Sequence, residues 1–216
     1  MKPADDPNID YKALVQRGYD RCAAKYEEAR HGEGQPELSL LMDRLGEGER
    51  VLDIGCGAGV PVARALEQRF QVTGVDLSSE MIKRARANVP EATFIYGDIM
   101  DSQFPAVYFD AVVSFYAIFH LPREEHSKLF RRIHRWLKVG GYFFGTVAQT
   151  NEPAYTEHDF FGETMYWSNF GLEDYQKLLT EIGFQLLESG ALGHGFDADE
   201  DISEEHHPLI FAQRIG

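Results

Sequence analysis

Apolar positions along this chain follow two periods in turn. From Ile9 to about Arg30 the residues Tyr11, Leu14, Val15, Tyr19, Cys22, Ala23 and Tyr26 recur every three or four positions, which predicts an amphipathic helix ended by His31-Gly32-Glu33-Gly34. Pro36 to Leu45 predicts a second helix, broken by Gly46-Glu47-Gly48. Beyond it, short apolar runs starting at Val51, and then at Phe70–Val75, Ala92–Tyr96, Phe109–Ser114 and Tyr142–Ala148, read as strands separated by helical stretches. The first of these helices follows Pro61 and carries Val62, Ala65 and Leu66; the second is capped by Ser78 and carries Met81, Ile82, Ala85 and Val89, with Glu80 in its first turn. Arg123 to Lys138 is the third, with Leu129, Phe130, Ile133, Trp136 and Leu137 on one side and a basic stripe on another, and Gly140-Gly141 is expected to stop it. The run Phe109–Ser114 suits the centre of a parallel sheet buried on both faces. Thr150 to Phe170 reads as a long aromatic loop, Gly171 to Ile182 as a helix, and Phe184–Ser189 and Leu209–Arg214 as the last two strands.

Composition limits what this pattern serves. With 216 residues, 44% of them apolar, the chain can bury one core, so a single domain is expected. Its parts are an N-terminal helical cap over 1–48, a core over 49–148, a lid over 149–170, and a closing helix and strands over 171–216. A formal charge of −14 argues against nucleic acid as partner, because phosphates are neutralised by Lys and Arg. Cys22 and Cys56 are the only cysteines, and Cys56 lies inside a glycine turn, so no disulfide is expected. No window approaches 18 apolar residues and the first residues lack an apolar signal core. A cytoplasmic protein without a membrane partner, monomer or homodimer, is the expectation.

The candidate chemistry begins at Val51-Leu52-Asp53-Ile54-Gly55-Cys56-Gly57-Ala58-Gly59. A strand emptying into a glycine turn lets a ligand approach the backbone, and the helix that follows offers free N–H groups. A dinucleotide fingerprint needs a third glycine where this chain has Val60 or Val62. Asp53 would also repel a pyrophosphate: two unit charges ~4 Å apart cost roughly 4 kcal/mol at an effective dielectric of 20. The near end of the ligand should therefore be cationic, which S-adenosylmethionine satisfies and NAD does not. Asp76, at the tip of the second strand, lies with Leu77 where a ribose presents two hydroxyls. Met81 is placed to reach the adenine face.

Asp53, Gly55, Gly57 and Gly59 after a strand resemble the first motif of the class I, Rossmann-like, S-adenosylmethionine-dependent methyltransferases. The resemblance runs from about Asp53 to Val147, and Leu137-Lys138-Val139-Gly140-Gly141-Tyr142 is similar to the family's junction before strand five. It implies a three-layer, doubly wound sheet of seven strands, mostly parallel with the last antiparallel, under the helical cover. It also implies that Tyr19 and Tyr26 lie over the cofactor, that Gly97-Asp98-Ile99 forms the adenine site, and that Ser114 and Phe115 lie beside the sulfonium. The family's substrate-facing residues follow strand four, where the Asn/Asp-Pro-Pro-Tyr stretch of DNA- and glutamine-directed enzymes is replaced here by Phe115-Tyr116-Ala117-Ile118-Phe119-His120.

Methyl transfer is an in-line displacement, so positioning the nucleophile contributes most. His120, titrating near neutrality, is the candidate base, with Tyr116 beside it; Phe161, Met165 and Trp167 are candidate substrate contacts of the lid. No metal is expected: His194, His206 and His207 beside the acidic stretch 195–207 match no known ligand spacing. The expectation is a small-molecule methyltransferase that uses S-adenosylmethionine and releases S-adenosylhomocysteine. The alternatives are a methyltransferase of peptide or protein side chains, or a protein that binds these cofactors without turnover.

Overall fold

A computed structural model describes residues 2–3, 10–30, 37–190 and 207–216. In chain order its elements are β1 (Lys2–Pro3), α1 (Tyr11–Arg30), α2 (Leu38–Met42), β2 (Arg50–Ile54), α3 (Val62–Leu66), β3 (Gln71–Asp76), α4 (Ser79–Asn88), β4 (Thr93–Tyr96) and β5 (Phe109–Ser114). A one-turn 3-10 helix (Ile118–His120) leads to α5 (Arg123–Trp136), β6 (Leu137–Thr146), β7 (Glu152–Phe160), β8 (Glu163–Asn169), α6 (Leu172–Ile182), β9 (Phe184–Gly190) and β10 (Leu209–Arg214).

Seven strands form one sheet in the order β4-β3-β2-β5-β6-β10-β9. β2, β3, β4, β5 and β6 run parallel, and β10 is antiparallel to both of its neighbours. Successive residues of a strand point to opposite faces, so each strand feeds two cores. Val51, Phe144 and Phe211 pack on one side with Leu41 and Leu66; Leu52, Phe143 and Ile210 pack on the other with Phe130, Ile133 and Tyr175. All six residues of β5 are buried, as a central strand covered by helices requires.

Two sequence expectations are corrected here. The helix before strand five ends at Trp136, not at the paired glycines, which lie inside β6. A Cβ on Gly141 would stand 2.8 Å from the Asp110 carbonyl oxygen, so the glycine admits the close approach of two strands. The 150–170 stretch is no loop: β7 and β8 form an antiparallel hairpin that pairs with β1 in a second sheet. The two central residues of its turn, Phe161 and Gly162, have φ of 54° and 87°. A two-residue turn with both central residues at positive φ matches the twist of a hairpin, but usually shows Asn or Asp first, and a phenylalanine gives no such signal. No helix among the described residues is long and apolar enough to cross a membrane. The expected acidic hairpin falls outside the described residues except at His207.

Candidate active site

The carboxyl ends of β2, β3 and β4 form the floor of a cavity of about 100 Å³ that opens to solvent. Gly55 and Gly57 line it with φ of 70° and 51°. A Cβ on Gly55 would stand 2.2 Å from that of Ala117, so only glycine lets the turn pass beneath the segment that follows β5. Asp76 lies across this turn: one carboxylate oxygen accepts from the Gly57 N–H at 2.8 Å and the other from the Ser78 N–H at 2.8 Å. Burial pushes its pKa up to about 6. Leu77, Met81, Gly97, Asp98 and Ile99 complete this side. Asp98 accepts from the Met100 N–H at 2.7 Å and pairs with the Lys12 ammonium.

Helix α1 forms the roof. Its tyrosines 11, 19 and 26 and its Val15 line the cavity, and three polar side chains hook it to the floor. Lys12 reaches Asp98, Asp20 reaches the start of α4, and Glu27 bonds Arg84 and Asn88, both at 2.5 Å. Asp20 accepts from Ser78 Oγ at 2.7 Å and from the Glu80 N–H at 3.1 Å, while Ser78 caps Met81 N–H at 3.1 Å. A carboxylate at a helix N-terminus is favoured by the helix dipole. Neighbouring residues of α1 thus divide two tasks, Tyr19 facing the cavity and Asp20 fastening the helix.

At the acceptor end, His120 is buried and its ring is fixed at both nitrogens. Nδ1 lies 2.9 Å from the Tyr166 carbonyl oxygen, which can only accept, so Nδ1 carries the proton and Nε2 the lone pair. Nε2 stands 2.7 Å from Tyr19 Oη, so the phenol donates to it. Burial lowers the His120 pKa to about 4 and holds that of Tyr19 well above its ordinary value. His120, the candidate base expected after strand four, itself lines the cavity, and its Nε2 faces Tyr19. Phe115 and Tyr116 also line the cavity; Tyr116 has φ of 56°, and the Arg30 guanidinium lies 4.4 Å over its ring.

Several residues expected in the site stand off the cavity. Asp53 is buried behind the wall formed by Ile54 and Gly55, with one carboxylate oxygen lacking a partner among the described residues, and burial first, then Asp76, raises its pKa to about 7. Cys56 directs its sulfur at Gly74, where a Cβ would approach it to 2.8 Å. A Cβ on Gly59 would meet Val89 and Phe94, so this glycine packs the turn on α4. Ser114 donates to the Ile54 carbonyl at 3.1 Å. Met165 is buried against Gly18 of α1, where a Cβ would lie 2.7 Å from its Cε, and so holds the hairpin to the roof without meeting the cavity. Phe161 packs on Tyr26 at 5.5 Å, and Trp167 lies against the far side of His120 at 4.4 Å. Sequence reasoning missed Lys12 and Gln16, which line the cavity one helical turn apart on the polar positions of α1. A second face of a helix that is buried only at its polar tips leaves no periodic signal.

The residues present fit S-adenosylmethionine. The floor carries Asp76 and Asp98, of which only Asp98 is paired with a lysine, and behind it Asp53 leaves a buried oxygen unmatched, a set that suits a cationic ligand. Asp76 spends one lone pair of each oxygen on the backbone, which leaves acceptor sites for two hydroxyls.

Residues 51–141 match the family model of the methyltransferase domain. The chain is 32% identical over 203 residues to the 27-O-demethylrifamycin SV methyltransferase of Amycolatopsis mediterranei, over 79% of this chain and 73% of that one. It is 30% identical over 199 residues to the phosphoethanolamine N-methyltransferase of Plasmodium falciparum, over 86% of this chain and 75% of that one. Other curated methyltransferases are matched over only 50% or 60% of their length. Among solved structures, the 1,6-didemethyltoxoflavin-N1-methyltransferase of Burkholderia thailandensis superposes with a TM-score of 0.73 at 21% identity, over 99% of this chain and 94% of that one. Cleft, sheet order and sequence matches agree, and the chain belongs to the class I S-adenosylmethionine-dependent methyltransferases.

Proposed function

We propose that this enzyme methylates a small organic acceptor held in the cavity beneath α1, and that Tyr19 and His120 take up the acceptor's proton. The observation that carries this is the chain of contacts from Tyr19 Oη to His120 Nε2 at 2.7 Å and from His120 Nδ1 to the Tyr166 carbonyl at 2.9 Å. The bound cofactor supplies an activated methyl group on a cationic sulfur. With the cofactor bound, transfer would break its methyl carbon–sulfur bond as the acceptor's bond forms, leaving neutral S-adenosylhomocysteine, and the acceptor's O–H or N–H proton would pass to Tyr19 Oη while the phenolic proton passes to His120 Nε2. The imidazole ends as the cation. Burial lowers the His120 pKa and so leaves Nε2 unprotonated and open to accept at neutral pH, while making it a weak base until the ligand's charge is in place. Asp76 and Asp98 would hold the cofactor, Gly55 and Gly57 would let it approach the backbone, and the roof of α1 would exclude water, with Asp53 acting from behind the wall.

A small acceptor is supported by the enclosed, tyrosine-rich cavity, by the charge of −14, and by the names of the two sequence relatives, 27-O-demethylrifamycin SV in one and phosphoethanolamine in the other. We take the working unit to be the single domain, as monomer or homodimer. The test is transfer of label from S-adenosylmethionine to a panel of hydroxyarenes, amines and, as contrast, peptides. Turnover of a small acceptor that Tyr19→Phe abolishes, with S-adenosylhomocysteine still bound, supports the reading. Turnover of peptides alone contradicts it.

A further inference from the structure

The polar residues by which α1 meets the floor are of two kinds. Asp20 and Glu27 bond to α4 and stand outside the cavity lining, so they serve to fasten the helix. Lys12 and Gln16, one turn apart, line the cavity. The Lys12 ammonium pairs with Asp98, and Gln16 Nε2 donates to Tyr96 Oη at 2.5 Å, so both cross to the end of β4. Burial works against the Lys12 cation, but the hydrogen bond and charge of Asp98 outweigh it and raise its pKa. A helix already fastened twice does not need this pair as a tether.

What lies beneath Lys12 follows from the sheet. Asp76 keeps acceptor sites for two ribose hydroxyls, and in the β3–β4 pairing it stands opposite Tyr96. In the strand order β4-β3-β2-β5, His120 and its partner Tyr19 lie on the β5 side, so with the sulfonium there the base on that ribose points the other way, over the end of β4. Neighbouring strands are about 4.8 Å apart, which brings the base to Asp98. Leu77, Met81 and Ile99 offer it apolar contacts. One Asp98 oxygen accepts from the Met100 N–H at 2.7 Å; the other faces Lys12 and keeps a lone pair, while the ammonium keeps N–H groups beyond the one spent on Asp98. An acceptor beside a donor complements adenine, whose 6-amino group donates and whose flanking ring nitrogens, N1 and N7, accept.

We propose that Lys12 is a specificity-determining residue for the cofactor: as the adenine amine donates to Asp98, the Lys12 ammonium donates to a ring nitrogen beside that amine. This rests on the reading of Asp76 and Asp98 as the residues that hold the cofactor. The probes are S-adenosylhomocysteine and its 1-deaza and 7-deaza analogues, each lacking one of the two nitrogens, titrated by calorimetry into the parent protein and Lys12→Met. The expected result is that Lys12→Met binds S-adenosylhomocysteine about tenfold more weakly, as loss of a hydrogen bond from a charged donor implies. One analogue should bind the parent about tenfold more weakly than S-adenosylhomocysteine does, and in Lys12→Met that difference should vanish. A lysine that only tethers α1 competes with the base for Asp98, so a variant that binds S-adenosylhomocysteine as tightly as the parent, or more tightly, overturns the proposal. Equal binding of all three ligands by the parent, or discrimination retained in Lys12→Met, overturns it too. Should Lys12→Met not fold, the Lys12 ¹⁵Nζ resonance of the unaltered protein decides: it moves with S-adenosylhomocysteine and stays with one analogue, whereas a resonance that responds to all three alike overturns the assignment. Failure of the underlying reading looks different: Asp76→Ala then binds S-adenosylhomocysteine as tightly as the parent.

Discussion

The floor and the roof of the active-site cavity are built by opposite means. The floor is made where β2, β3 and β4 end side by side, so Gly55, Asp76 and Asp98 are placed by three strand ends in one sheet. The roof is assembled across the chain: Tyr19 meets His120 101 positions away, and His120 meets Tyr166 46 positions further on. A floor of strand ends holds the part of the reaction common to all such enzymes, the cofactor. On the proposed function, the roof of long-range contacts holds what differs, the acceptor and its proton.

If this division is right, damage to one half should leave the other intact. The largest effect is expected from Tyr19→Phe, which removes the hydroxyl that links acceptor to imidazole: kcat falls roughly 10²- to 10⁴-fold, the usual worth of a positioned proton acceptor. Calorimetry should find the affinity for S-adenosylhomocysteine within about threefold of the parent. The reverse holds for Gly55→Ala. Its Cβ would stand 2.2 Å from Ala117 on a backbone at φ of 70°, so unfolding by denaturant should show a loss of about 1–3 kcal/mol and cofactor binding should fail.

Acidity should separate the halves as well. Burial raises Asp53 to a pKa of about 7 and Asp76 to about 6. Carboxylates raised in this way bind protons more tightly folded than unfolded. Their contribution to stability is present below the unfolded pKa and lost as pH rises toward 7. A cationic ligand needs the ionised form, so affinity for S-adenosylmethionine should rise about tenfold from pH 6 to pH 8, as the ionised fraction of a group with a pKa near 7 does, and Asp53→Asn should flatten the rise. His120 behaves oppositely. With a folded pKa of about 4, it releases protons on folding, its contribution to stability is lost as pH falls from about 6.5 toward 4, and kcat should stay level above pH 5. The smallest effect is expected from Asp20→Ala, which removes the cap that α1 places on α4: about 1 kcal/mol of stability, with a matching several-fold weaker hold on the cofactor, read by thermal shift.

The same division explains what the sequence discloses. The floor is written in local signals, an apolar run, a glycine turn and a capped helix, and these place Gly57, Asp76, Ser78 and Met81 where the structure has them. The seven-stranded, doubly wound sheet and the antiparallel β10 came with the family resemblance, and the strand order only with the structure, because pairing among strands is not written in any one of them. The roof was legible only as a helix. Nothing near Tyr19 announces His120, Phe161 gives no turn signal at the hairpin, and Met165 reads as a lid contact when its burial depends on Gly18 in another element. Asp53 was read for its charge, whereas its side chain stands behind the wall, where burial raises its pKa to about 7.

The most direct test of the account is a double-mutant cycle in methyl transfer with Tyr19→Phe, His120→Asn and both together. Asparagine keeps a donor for the Tyr166 carbonyl and removes Nε2. Groups that act as one unit lose their function together. The account predicts that the double variant is no slower than the slower single variant, with S-adenosylhomocysteine bound equally well by all three. Losses that multiply would mean that the two residues serve separate purposes, and would contradict a proton path running from the acceptor through Tyr19 to His120.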